Sequence, residues 1–115
     1  MDGEHNRAAI AELDDYFAGH LRRFVVPIDL RGTDFQRLVW EILRSIPYGE
    51  TRSYGQVAHA AGRPNGPRAV GQAIGSNPIS IIVPCHRVIG SNGSLTGYGG
   101  GLPRKRALLK LEKAL

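Results

Sequence analysis

Glycine and proline punctuate this chain so densely that no regular element can run long. Fifteen glycines and seven prolines fall among 115 residues. Pro27 holds the residues before it extended, Gly32 breaks the chain, and Pro47-Tyr48-Gly49 stops the element ahead of it. Gly62-Arg63-Pro64-Asn65-Gly66-Pro67 is turn chemistry throughout. Pro78 and Pro84 bracket a short apolar run, and Tyr98-Gly99-Gly100-Gly101 has almost no side-chain bulk. Short helices around one modest core fit between such breaks, in a chain of single-domain length. Hydrophobic residues at 42% and charged residues at 22% can build that core and exclude wholesale disorder. No stretch approaches the roughly 18 apolar residues of a membrane span.

Periodicity places the helices. Ile10, Leu13, Tyr16, Phe17 and Leu21 predict an amphipathic helix over about 7–21, weakened at Gly19. Thr33 and Gln36 have capping-box spacing ahead of a helix whose apolar face is Phe35, Leu38, Val39, Ile42 and Leu43, with Trp40 beside it. Ser53 can cap another, carrying Tyr54, Val57, Ala58 and Ala61, and residues 68–75 read as a fourth. Helix, brief turn, helix in a basic segment is the outline of a helix-turn-helix. Ile79 to Val83 reads as a buried extended segment, residues 90–94 as the turn of a short β-hairpin, and Leu102 to Leu115 as a last helix. The expected fold is mainly α with that short hairpin.

Charge is split along the chain. Residues 1–34 sum to −3 and residues 35–115 to +8. Between Glu50 and Glu112 there is no acid, while Arg52, Arg63, Arg68, Arg87, Arg104, Lys105, Arg106 and Lys110 all lie there. That pattern predicts a polyanion partner. One cysteine excludes an internal disulfide and points to a reducing compartment. Met1 to Arg7 is polar with no signal-peptide core, so the expectation is a soluble cytoplasmic protein, nucleoid-associated if bacterial.

Pro84-Cys85-His86-Arg87-Val88 is the densest chemical cluster. A cysteine reacts as its thiolate, and a thiol packed behind Ile81, Ile82 and Val83 needs help to ionise. His86 is the nearest base, yet neighbours on a strand point to opposite faces. It can assist only if the backbone turns or a water bridges the two. A carboxylate should orient the imidazole, and Glu112 is the sole acid after Glu50. A lone cysteine is otherwise most often a small buried hydrophobe. His5, His20 and His59 read as surface residues, and the histidines show no metal-ligand spacing.

Pro84-Cys85-His86-Arg87-Val88 resembles the acceptor motif of the O6-alkylguanine-DNA alkyltransferases, also called methylated-DNA–protein-cysteine methyltransferases. Phe35-Gln36 to Trp40, Ile46-Pro47-Tyr48-Gly49, Ser53-Tyr54, Arg68-Ala69-Val70-Gly71, Ser76-Asn77-Pro78, Gly97 to Leu102 and Leu108-Leu109 to Glu112 match that family in order and spacing. The resemblance implies a winged helix-turn-helix-like C-terminal domain at 33–115, with 1–32 a helix and linker left from the family's N-terminal domain. It implies stoichiometric repair of O6-alkylguanine in duplex DNA by a monomer without cofactor or metal. Cys85 would accept the alkyl group, with His86 (through a water) and Glu112 as proton relay and Asn77 fixing the backbone. Tyr54 would donate to guanine N3. Ser53, Tyr54, Arg68, Ala69 and Gly71 would meet DNA in the minor groove, Arg68 filling the place of the extruded base. Val88, Tyr98, Gly99 and Ile74 would line the guanine pocket. The short length is also similar to alkyltransferase-like proteins, which sense such damage without transfer but replace the acceptor cysteine.

Overall fold

The computed structural model describes residues 3–26, 28, 30–62, 66–77, 79, 81–90, 93 and 102–114. Its elements, in chain order, are α1 (Gly3–Phe17), α2 (Asp34–Arg44), β1 (Arg52–Ser53), α3 (Tyr54–Ala60), α4 (Pro67–Gly75), a 3-10 turn (Cys85–Arg87), β2 (Val88–Ile89) and α5 (Leu102–Leu111). No helix among the described residues is long and apolar enough to cross a membrane.

The caps fall where short polar side chains stand. Thr33 accepts from the Gln36 N–H while the Gln36 side chain accepts from the Thr33 N–H, and Ser53 and Gln56 repeat the device on α3. Pro67 opens α4 at a position whose N–H is not needed. α1 stops at Phe17, short of the expected 21. Gly19 takes φ +81, and the Gly19 and His20 N–H groups close back onto the Tyr16 and Asp15 carbonyls.

α2, α3 and α4 pack on one another around Val39, Trp40, Leu43, Val57, Val70 and Val83. The buried face of α2 is rotated from the expected one. Trp40 is inside, whereas Leu38 is 44% exposed. The indole N–H donates to the Ala73 carbonyl at 2.8 Å, which removes the cost of burying its polar edge.

β1 and β2 pair in parallel, Arg52 opposite Val88 and Ser53 opposite Ile89, with α3 and α4 in the crossover. The expected hairpin near 90–94 falls largely outside the described residues. The described residues 79 and 81–83 are not extended as expected. Ile81 has φ +75, and the Val83 N–H returns to the Ile79 carbonyl at 3.0 Å. Asn77 ties the two ends of this segment together. Its amide donates to the Val83 carbonyl and its oxygen accepts from the Ile79 N–H, both at 2.9 Å.

Candidate active site

The backbone turns at the cysteine. Cys85, His86 and Arg87 form one 3-10 turn, closed by the Val88 N–H on the Cys85 carbonyl. With three residues per turn, successive side chains diverge by about 120° rather than alternating across a strand. His86 and Arg87 therefore both reach Glu112 at the end of α5.

Glu112 is the hub. His86 Nε2 lies 2.7 Å from its Oε2. Arg87 Nε donates to Oε1 at 2.8 Å and Nη2 to Oε2 at 2.9 Å, while Nη1 donates to the Ile46 carbonyl at 2.8 Å. The Tyr16 hydroxyl donates to Oε2 at 2.5 Å. Tyr16, His86, Arg87 and Glu112 are all buried. Burial pushes the Glu112 carboxyl up, but the hydrogen bonds from His86 and Arg87, with that of Tyr16, outweigh it and hold its pKa at about 2. Burial lowers the His86 pKa, against the upward pull of Glu112. His86 is thus neutral near pH 7, and Arg87 is the ion-pair partner of the carboxylate. An ionised carboxylate only accepts, so His86 carries its proton on Nε2. That leaves a lone pair on Nδ1, the one buried side-chain polar atom without a hydrogen-bond partner among the described residues. Such a nitrogen can receive a proton.

Cys85 is 5% exposed and belongs to the core cluster. On α5, Lys105 is fully buried, its Nζ 5.8 Å from the centre of the Tyr54 ring. Burial lowers the Lys105 pKa and the charge of Cys85 opposes that shift.

Ser53 caps α3 and Tyr54, half-buried, is its first residue. On α4 Arg68 is exposed, Ala69 and Gly71 are half-buried, and a Cβ at Gly71 would meet no atom within 4 Å. Val88 is fully buried on β2, and Ile74 is a core residue. Tyr98 and Gly99 lie outside the described residues. A cavity of about 740 Å³ lies behind the turn, lined by Arg22, Arg44, Tyr48, Pro84 and Arg87 but not by Cys85.

Three residues escape a reading by sequence pattern. Arg87 and Lys105 look like part of the basic band, yet both are buried at the site. The signal for Arg87 was Glu112 itself, because a lone buried acid needs a charged partner. Tyr16 gave none, being 96 residues from the carboxylate it meets.

These features define a small helix-turn-helix-like domain whose single cysteine sits on a turn wired to a buried histidine–carboxylate pair. The chain belongs to the methylated-DNA–protein-cysteine methyltransferase family. Residues 34–114 match the family described as "6-O-methylguanine DNA methyltransferase, DNA binding domain". A methylated-DNA–protein-cysteine methyltransferase of Mycobacterium tuberculosis H37Rv is 65% identical over 106 residues, 92% of this chain and 64% of the relative. One from Methanosarcina acetivorans is 57% identical over 109 residues, 95% and 70% of the two chains. The chain thus spans 64% of the length of its mycobacterial relative. Among solved structures, M. tuberculosis OGT in complex with DNA superposes with a TM-score of 0.91 at 64% identity, covering 94% of this chain and 67% of that one. S. pombe Atl1 in complex with damaged DNA containing O6-carboxymethylguanine gives 0.63 at 35% identity, covering 72% and 79%.

Proposed function

We propose that this protein repairs DNA by moving an alkyl group from guanine O6 to Cys85, once per molecule. The observation that carries the reading is His86, next in the chain to the only thiol, held by Glu112 through Nε2 while its Nδ1 has no partner among the described residues. The Cys85 proton passes to His86 Nδ1 through a bridging water. The sulfur then attacks the alkyl carbon in line, so the S–C bond forms as the C–O bond breaks. The electron pair goes to guanine, which takes a proton from Tyr54 at N3. Cys85 is left as a thioether, and no cofactor or metal is consumed.

The lesion must leave the base stack to reach a buried sulfur. Arg68, Gly71 and Gly75 follow one face of α4, and no atom lies near a Cβ added at either glycine. That bare face suits close approach to duplex DNA along the minor groove, with Arg68 entering the vacated stack. Val88 and, beyond the described residues, Tyr98 and Gly99 complete the guanine pocket, with Ile74 behind it. Incubation with a duplex containing O6-methylguanine should add one methyl to the intact mass, mapped to Cys85. Unchanged protein beside unrepaired DNA overturns the reading.

The near-complete burial of Cys85 favours one alternative, a damage sensor that binds alkylguanine without transfer. The same experiment separates the two, since a sensor retains the duplex and gains no mass.

A further inference from the structure

We infer that Tyr16 is a positioning residue for the Cys85 chemistry: its hydroxyl sets how strongly Glu112 pulls on the His86 ring. The inference rests on the reading of Cys85, His86 and Glu112 as an alkyl-acceptor array. Tyr16 precedes the region matched by the family, 34–114, so a helix outside the matched domain reaches into its reacting centre.

The geometry is specific. Tyr16 and His86 share one oxygen, Glu112 Oε2, at 2.5 and 2.7 Å. Arg87 Nη2 donates to the same oxygen at 2.9 Å, and the three donors compete for its charge. The phenol is fully buried and cannot turn to water. Its ring is caged by Phe24 and Tyr48, with centroids at 5.4 and 6.2 Å. Arg87 neutralises the carboxylate as a whole, but among the described residues only Tyr16 competes with His86 on that oxygen without bringing a charge. The charged and titratable groups around the array are Arg87, Cys85, Tyr48 with Arg22 over its ring and, from α5, Lys105.

The direction follows. Deleting the hydroxyl concentrates negative charge on Oε2, strengthens the bond from His86 Nε2–H and makes the ring more basic. A stronger phenolic donor does the reverse. His86 must be neutral to take the thiol proton, so its protonation marks the acid limb of Cys85 reactivity.

Cys85 is the only cysteine, so its alkylation by iodoacetamide reads the array without DNA. Tyr16→Phe should move the acid limb up by about half a pH unit, roughly threefold in proton affinity. Site-specific 3-fluorotyrosine at position 16 should move it down. A merely structural hydroxyl would give no such opposed shifts. Superimposable profiles for all three proteins, or shifts of the same sign, overturn the inference. Should Tyr16→Phe fail to fold, the fluorinated protein alone decides, a downward shift supporting the inference and an unmoved limb refuting it. Methyl transfer from a duplex containing O6-methylguanine is measured in parallel. Its absence from the unsubstituted protein overturns the alkyl-acceptor reading, whatever the iodoacetamide profiles show.

Discussion

At the scale of single residues, Glu112 organises the site because four hydrogen bonds from the described residues converge on it inside the protein. Glu112→Gln keeps the shape but leaves the Arg87 charge buried without its counter-ion, which should cost about 3–5 kcal/mol. Urea unfolding measures that loss. The rate of Cys85 alkylation per folded molecule should also fall by roughly 100-fold, the lower range of a lost general base; an unaltered rate would remove Glu112 from the chemistry. The same residues set the acid response. A Glu112 carboxyl held at about 2 instead of 4.5 contributes roughly 3 kcal/mol above pH 4.5, lost as pH falls toward 2. His86, whose folded pKa is also depressed, adds a loss that begins lower than pH 6.5, where the unfolded chain takes the proton first. Urea midpoints should therefore decline from pH 7 to 5 and fall more steeply beneath 4.5. A flat profile across this range would contradict the buried, neutral His86.

At the scale of elements, the 3-10 turn separates reactivity from inert packing. On a strand His86 would face away from Cys85 and Glu112 together. α4 is the other decisive element. Gly71 costs helix stability and the protein's own packing does not require it, since a Cβ there meets nothing within 4 Å. Gly71→Ala should raise stability by about 0.5–1 kcal/mol, seen in the urea midpoint. Gly71→Leu should leave folding intact and weaken duplex binding at least tenfold if this face lies against DNA, and an unweakened Kd would place the DNA elsewhere. Arg68→Ala should slow repair of duplex more than reaction with free O6-benzylguanine, because a free base leaves no stack to fill. Equal losses in both assays would refute that role.

At the scale of the whole molecule, the basic band is thinner than its formal charge. Arg87 is committed to Glu112, Lys105 is buried beside Tyr54, and Arg52 leans on Glu50 at 3.2 Å. Arg68, Arg104, Arg106 and Lys110 are exposed. About three to five phosphate contacts then correspond to a slope of log K against log salt near −3 to −4. A slope near −7, as if every base of the band met a phosphate, would show that the buried cations become exposed on binding.

The sequence alone determined the caps, the breaks, the helix pair and the residues of the motif, because these are local: a serine or threonine three residues before a glutamine, a proline at a helix start, a cysteine followed by a histidine. It also singled out Glu112, through the scarcity of acids. Only the tertiary structure decided which face of α2 is buried, that Asn77 ties Ile79 to Val83, and that the small strands pair in parallel. It alone brought Tyr16 to Glu112 and turned two cations inward. Those outcomes depend on which distant groups must satisfy one another once water is excluded, and no pattern along the chain records that.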